Sequence, residues 1–341
     1  MILEKTMLHK TTVLLLSGAL FTVISGCSNE DSEQASASEE TVKLVAATIT
    51  PKNSLLARAL TAFGEEIESQ SNGEIEVTVH TDGTLGNASS LYQSVISGDI
   101  DMIYSDSGWF AEQNPVFEVL GAYYLFKDRE HFESIVNTEG ELSYFEDLLL
   151  ENPGLKTVMY EGGLERNIIS TFPINSVEDL EGQTMRSGTG STELEWWRNL
   201  GADPTSIAFN EVYSALQTGV ADGSQNSLDA MIQQRFGEVA KYIARTQHRL
   251  DLGFVVMNNE RYEALSDEHK DAIERARDVV QPEYISKAFE KTEEDIATLE
   301  NDFGVSFTDP DRESFIERSR VQLNELAEKY DVEDVVNKTF N

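Results

Sequence analysis

Two arginines and one asparagine carry most of the chemistry this sequence offers. Lys and Arg total 26 against 61 Asp and Glu, so the placement of an arginine is informative. Arg166 falls in "YEGGLERNIIS", after a predicted strand and a Gly-Gly turn. Arg186 ends "LEGQTMRSG", a short strand that runs into a Gly-rich loop. A guanidinium is always charged, planar and armed with parallel donors, so it suits the gripping of a carboxylate. Taken alone, either arginine also reads as half of a surface or lobe-to-lobe salt bridge. Asn226, in "VADGSQNS", reads alone as a turn residue.

Other chemistries leave no mark. The five histidines show no ligand spacing, and no P-loop, nucleophile elbow or dinucleotide fingerprint occurs. The expectation is therefore no metal, no cofactor and no catalytic residue. A net charge of −35 argues against a nucleic-acid surface, which needs dense cations, and fits a soluble surface in salty surroundings.

The first residues read as an export signal. Lys5 and Lys10 precede "VLLLSGALFTVI", which is too short to span a membrane. Ile24-Ser25-Gly26-Cys27 matches a lipoprotein cleavage site, and lipidation would use the chain's single cysteine. Residues 1–26 are thus expected to be removed, and Cys27 to tie the mature protein to a membrane. Residues 27–41 would be the lipidated Cys and a Ser/Glu-rich tether spanning roughly 20 Å as a coil. Loss of residues 1–26 (two Lys, one Glu) takes the charge from −35 to −36.

The elements that must position the arginines alternate. Strand patterns at 42–49, 74–80 and 101–105 are separated by helical patterns at 53–70 and 88–97. That order predicts a mostly parallel, doubly covered sheet. A second run starts near residue 156 and continues through helices around 191–199, 210–218 and 227–236. A strand at 250–257 follows, then charged helices at about 266–300, with Pro282 expected to kink the chain, and at 311–329. One internal echo links the two runs: "LYQSVISGDIDM" (91–102) aligns with "VYSALQTGVADG" (212–223). Each is a helix, a glycine stop and an Asp opening a strand. Continuing the offset pairs Ser105 and Asp106 with Asn226 and Ser227, at the strand ends where open α/β sheets bind ligands. Trp109 follows shortly after. Asp106 reads either as a ligand acceptor or as a helix N-cap. Tyr213 and Asn210 flank a helix start and are expected near the pocket, whereas Trp196 and Trp197 read as lobe packing.

The block "LEGQTMRS…LGADPTSIAFNEVYSALQTGVADGSQNS" resembles the signature of the DctP family, the solute-binding proteins of tripartite ATP-independent periplasmic (TRAP) transporters. The resemblance extends over essentially the whole body after the tether. It implies an α/β, two-lobe, periplasmic-binding-protein-like fold with a ligand cleft between lobes and a long C-terminal helix bracing both. Lobe I would hold 42–163 with about 252–291, lobe II 164–251 with about 292–320, and residues 321–341 a helical end. The resemblance also implies that Arg186 clamps the ligand's carboxylate, that Arg166 supports it, that Asn226 hydrogen-bonds it and that Phe209 packs on the ligand body. Many relatives carry Glu where this chain has Gln225, and losing that charge argues against a cation-bridged mode, though an amide oxygen could still coordinate one.

The expected function is capture of a small organic acid outside the cytoplasmic membrane, a sugar acid or a C4-dicarboxylate, and delivery to a membrane permease. Sugar acids are favoured, because the lobe I candidates offer acceptors and no third cation. The alternatives are a receptor feeding a sensor kinase or chemoreceptor, and an exported two-lobe lyase or hydrolase.

Overall fold

The computed structural model describes residues 41–111, 113–188 and 191–340. The signal segment, Cys27 and the tether up to residue 40 lie outside them. Strands and helices first alternate as the sequence predicts: β1 (Val42–Ala47), α1 (Leu55–Gln70), β2 (Ile75–His80), α2 (Ala88–Ser97) and β3 (Met102–Asp106). Where the sequence reading assigns nothing, three short helices follow: α3 (Ser107–Ala111), α4 (Arg129–Val136) and α5 (Ser143–Glu151). The N-cap of α4 is Asp128, which accepts from the His131 N–H at 2.8 Å.

A long strand, β4 (Leu155–Ser170), leads into β5 (Thr184–Ser187), α6 (Ser191–Asn199), β6 (Asp203–Ser206), α7 (Val212–Thr218), β7 (Gly223–Ser227) and α8 (Leu228–Gln233). A second long strand, β8 (Tyr242–Asn258), precedes α9 (Asn259–Glu263), α10 (Asp267–Phe303), β9 (Ser306–Thr308), α11 (Arg312–Tyr330) and α12 (Glu333–Thr339).

Among the described residues all strands join one nine-stranded sheet in the order β2-β1-β3-β8-β4-β7-β5-β6, with β9 beside β8. The expectation of a mostly parallel sheet holds for five of the eight strand pairings and fails for three. β1–β2, β1–β3, β5–β6, β5–β7 and β8–β9 are parallel, but β3–β8, β4–β8 and β4–β7 are antiparallel. The reason is that β4 and β8 run the length of both lobes as an antiparallel ribbon, and each lobe's parallel strands attach to its flanks. Gly162-Gly163, read as a turn, lies inside β4, where the register against β8 shifts between Gly162 and Glu165.

Among the described residues four large apolar cores follow from this arrangement, one on each face of the sheet in each lobe, with a small fifth cluster of Leu55, Leu164 and Ala288. Strand alternation sorts the residues. On β8, Phe254 and Val256 join the core beneath α2, α5 and α12, while Val255 and Met257 join the one under α1 and α10. On β4, Ile168 packs with Trp196, Trp197 and Phe315, and Ile169 packs with Val212, Met231 and Leu299. α10, of 37 residues and about 55 Å, places Ile273 and Val280 in a lobe I core and Leu299 in a lobe II core. Pro282 sits inside this helix without ending it. α11 also reaches both lobes, through Phe315 and Leu326.

One residue of β4 departs from this apolar logic. Glu161 is 2% exposed, and neither carboxyl oxygen has a partner among the described residues. Burial raises its carboxyl pKa well above the ordinary 4.5. In the unfolded chain the group ionises near 4.5, and in the folded chain only at higher pH. Its contribution to stability is therefore complete below the unfolded value and is lost as pH rises toward the folded one. Glu161→Gln keeps the shape and removes this slope. Thermal melts are expected to show a higher Tm than wild type at pH 7 and no difference at pH 4; equal shifts at both would sink the explanation.

Candidate functional site

The sequence echo is a structural one. α2 and α7 end on Gly98 and Gly219, both in the left-handed conformation (φ 79° and 72°) that a Cβ disfavours. The aspartates that follow make matching contacts. Asp101 donates its N–H to Val45 O (3.0 Å) and accepts from Val45 N–H through Oδ2 (2.7 Å). Asp222 donates to Thr184 O (2.7 Å) and accepts from Thr184 N–H through Oδ2 (2.8 Å). Each Asp thereby locks the start of β3 or β7 to its parallel neighbour, so both strands deliver short polar side chains at the same level.

Those strand ends meet at a cleft of about 320 Å³. Ser105, Asp106 and Trp109 line it from one lobe, and Arg166, Arg186, Phe209 and Asn226 from the other. The structure thus brings together seven of the ten residues singled out in the sequence. Trp109 and Phe209 are 39% and 40% exposed, unusual for large aromatics. Phe209 is braced edge-on by Phe236, with ring centres 6.0 Å apart. Asn226, which lines the cleft, uses Oδ1 to accept from Ser227 N–H at 2.9 Å.

The arginines differ in what already holds them. Arg166, on β4, donates from Nε to Asp251 Oδ1 at 2.5 Å. Burial opposes its charge, but Asp251 and Asp106 outweigh it and raise the guanidinium pKa above its ordinary value. Arg249 reaches Asp106 Oδ1 at 3.2 Å and stands 3.9 Å from Asp251 Oδ1. Asp106 also accepts from Gly108 N–H at 2.8 Å, so it is both a helix cap and an ion-pair partner. Arg166 and Arg249 are therefore balanced by Asp251 and Asp106.

Arg186 is not balanced. Its Nε donates to Ile207 O at 2.9 Å, and among the described residues no carboxylate reaches ion-pair distance of it. Only 7% exposed, it has its pKa lowered by burial, an effect that the charge of Glu193 offsets in part. A buried cation whose Nη donors have no hydrogen-bond partner among the described residues could take an anion.

Gln225 lies behind the cleft wall. Its Nε2 donates to Glu193 Oε1 at 2.9 Å, which orients the amide so that Oε1 accepts from His248 Nε2 (3.3 Å) and Arg166 Nη1 (3.5 Å). His248 is fully buried, and burial together with Arg166 and Arg249 pushes its pKa well below the ordinary value, so the ring is neutral. With Nε2 as donor, Nδ1 accepts from Thr246 Oγ1 at 2.7 Å. Glu193 also accepts from Gly188 N–H at 2.9 Å, which ties the loop after Arg186 to this network. Gln225→Glu would set two carboxylates face to face. The variant is expected to melt lower than wild type at pH 7 and to recover at pH 4 or when combined with Glu193→Gln. A Tm at pH 7 that matched wild type would refute this account of Gln225.

Tyr213 and Asn210 do not line the cleft. The Tyr213 hydroxyl donates to Glu238 Oε2 at 2.9 Å, and Asn210 is solvent-exposed. Trp196 and Trp197 are fully buried in a lobe II core. Sequence reasoning missed Asp251, Arg249, Glu193 and the cleft-lining Tyr104. For Asp251 a signal existed: a lone charge inside the apolar strand "LDLGFVVM". Among the described residues no group of three or more His, Cys, Asp or Glu side chains could hold a metal ion.

Comparison with known proteins bears on this geometry. The model of bacterial extracellular solute-binding protein family 7, DctP, matches residues 46–330. The sialic acid-binding periplasmic protein SiaP of Vibrio cholerae is 29% identical over 256 residues, which is 75% of this chain and 79% of that one. The 2,3-diketo-L-gulonate-binding periplasmic protein YiaO of Escherichia coli is 28% identical over 269 residues, 78% of this chain and 81% of that one. A TRAP periplasmic solute-binding protein from Chromohalobacter salexigens, solved with bound D-glucuronate, superimposes with a TM-score of 0.80 at 23% identity, covering 87% of this chain and 98% of that one. It has the same two-lobe fold. With the family model spanning nearly all of the two lobes, this chain belongs to family 7 of the bacterial extracellular solute-binding proteins, the DctP family.

Proposed function

We propose that this receptor captures a sugar monocarboxylate, of the hexuronate or aldonate kind, and delivers it to a TRAP-type permease. The observation that carries the reading is the charge balance of the cleft. Asp251 and Asp106 occupy Arg166 and Arg249, and Arg186 remains as the one buried cation there without a carboxylate among the described residues. A single unpaired cation matches a single carboxylate, whereas a C4-dicarboxylate would ask for a second. The opposite wall supplies Ser105 and Asp106 for hydroxyl groups, and Trp109 and Phe209 supply faces for a sugar's C–H surface. The relatives named above are consistent with this, since sialic acid, 2,3-diketo-L-gulonate and D-glucuronate are all sugar acids.

Arg186 and Asn226 belong to one lobe, and Ser105 and Asp106 to the other. A ligand touching both binds the closed form better and shifts the population toward it by that difference. The hinge in this reading is the β4 bulge at Gly162–Glu165 with the facing stretch of β8. It divides lobe I (42–163 with about 252–291) from lobe II (164–251 with about 292–320). The protein acts by binding, not by turnover, since both cleft aspartates are engaged by arginines. Its place is outside the cytoplasmic membrane, held there through Cys27, and Cys27→Ala should release it from the membrane fraction.

A thermal-shift screen tests the ligand class. D-Glucuronate, D-galacturonate and L-galactonate are expected to raise Tm in the order of their affinities, and succinate and malate to leave it unchanged. Stabilisation by the dicarboxylates alone would overturn the reading.

A further inference from the structure

A second cavity, of about 330 Å³, abuts the ribbon of β4 and β8 on its other face. The pleat separates the two: Arg166 and Asp251 line the cleft, while their neighbours Glu165 and Leu250 line this cavity. Its apolar wall comes from Leu120, Leu125, Phe126 and Leu250. Its charges are again unequally engaged. Glu165 is saturated, accepting from Arg129 Nη2 (3.2 Å), Gln247 Nε2 (2.9 Å) and Asn167 Nδ2 (3.1 Å). Asp128 caps α4.

Arg312 is half-buried where Arg186 is buried, but it is held in a similar way. Its Nε donates to a backbone carbonyl, Thr246 O, at 3.2 Å, and among the described residues it has no carboxylate within ion-pair distance. It is also the first residue of α11, whose N-cap Asp311 makes no side-chain cap, so the positive end of the helix adds to the same field. Two lining residues, Tyr124 and Gln247, hold left-handed backbones (φ 56° and 47°), a conformation that costs energy in a residue with a Cβ and persists where the surroundings enforce it. Their contacts enforce it here: Tyr124 N–H donates to His248 O at 2.8 Å, and its hydroxyl donates to Thr246 O at 3.0 Å.

We infer that this cavity is a second binding site, for a small monocarboxylate with an apolar body, such as an aromatic or short aliphatic acid, with Arg312 as its clamp. The Arg312 Nη donors take the carboxylate and the Leu125–Phe126–Leu250 wall takes the body, which distinguishes this ligand from the hydroxyl-rich one proposed for the cleft. The two sites are mechanically joined. Arg249 lines the cavity yet sends Nη2 to Asp106 in the cleft, and the Thr246 carbonyl that holds Arg312 lies two residues from His248, which backs Gln225. An occupant here is expected to change sugar-acid affinity by acting on the ribbon from behind.

The probe is 4-bromobenzoate on the full-length chain, with benzyl alcohol as its uncharged control. Calorimetry is expected to show binding of the acid but not the alcohol, a loss of about tenfold or more in Arg312→Met, and no loss in Arg186→Met. Co-crystals provide a measurement that does not depend on the variant folding, with the anomalous bromine peak expected between Phe126 and Arg312. A peak beside Arg186, retained affinity in a folded Arg312→Met, or no binding by wild type at about 10 mM (a free energy weaker than about −2.7 kcal/mol) would each overturn the inference. The Arg186→Met arm keeps this outcome separate from that of the cleft.

Discussion

Arg186→Ala is expected to lower sugar-acid affinity by about 30-fold to several thousand-fold, because truncating one partner of a desolvated charge pair costs about 2–5 kcal/mol. The ligand's carboxylate would enter a cleft whose remaining arginines are already committed to Asp251 and Asp106. The same substitution carries an opposite expectation for the empty protein. Arg186 is buried without a counter-charge among the described residues, so removing it relieves a desolvation cost. The ligand-free variant should therefore melt at or above the wild-type temperature while failing to bind. Arg186→Lys, which keeps the charge but loses the planar fork, should fall between. Calorimetry and a melting curve decide both points. Affinity within about threefold of wild type (roughly 0.6 kcal/mol) would remove Arg186 from the site, and a large drop in the empty protein's Tm would make it a structural residue instead.

Asp251→Ala should do the reverse and strike stability first. Its carboxylate holds Arg166 at 2.5 Å and stands 3.9 Å from Arg249, with its side chain only 5% exposed. Deleting it leaves two guanidinium groups to share Asp106. Breaking a buried pair from one side costs about 3–5 kcal/mol. In a protein of this size that corresponds to a Tm lower by roughly 10 °C. Because the surplus is positive, a saturating sugar acid should recover more of the loss than it adds to wild type. A Tm within about 2 °C of wild type would show that water or rearrangement already screens the pair; at ~2–4 °C per kcal/mol that is less than about 1 kcal/mol.

The contrast between these residues explains what the sequence could and could not disclose. Arg186 and Asn226 stand inside the contiguous block that carries the family resemblance, and the Gly98/Gly219 echo places Asn226 at a strand end, so their position in the cleft wall could be anticipated. Arg249 and Glu193 matter only through partners far along the chain, Asp106 and Gln225. No spacing rule reports a contact across 143 residues. The three helices between β3 and β4 were also illegible, being of five, eight and nine residues. Elements so short are stabilised by caps and tertiary packing more than by an amphipathic repeat. The expected turn at Gly162-Gly163 failed for the opposite reason. Glycine pairs punctuate most chains, but here they accommodate a register shift inside a strand that continues for seven more residues.

That continuity has a consequence for how the molecule folds and evolves. A receptor whose lobes hung on separate linkers could be cut at the waist, each half keeping its own hydrogen-bond ladder. Here β4 and β8 pair with each other on both sides of the waist, and α10 and α11 pack into cores above and below it. Neither half owns a complete sheet, so neither is a heritable module. Ligand preference in such a scaffold can diversify through side chains that face the cleft, while exchange of whole lobes between relatives would sever the ribbon on which both depend.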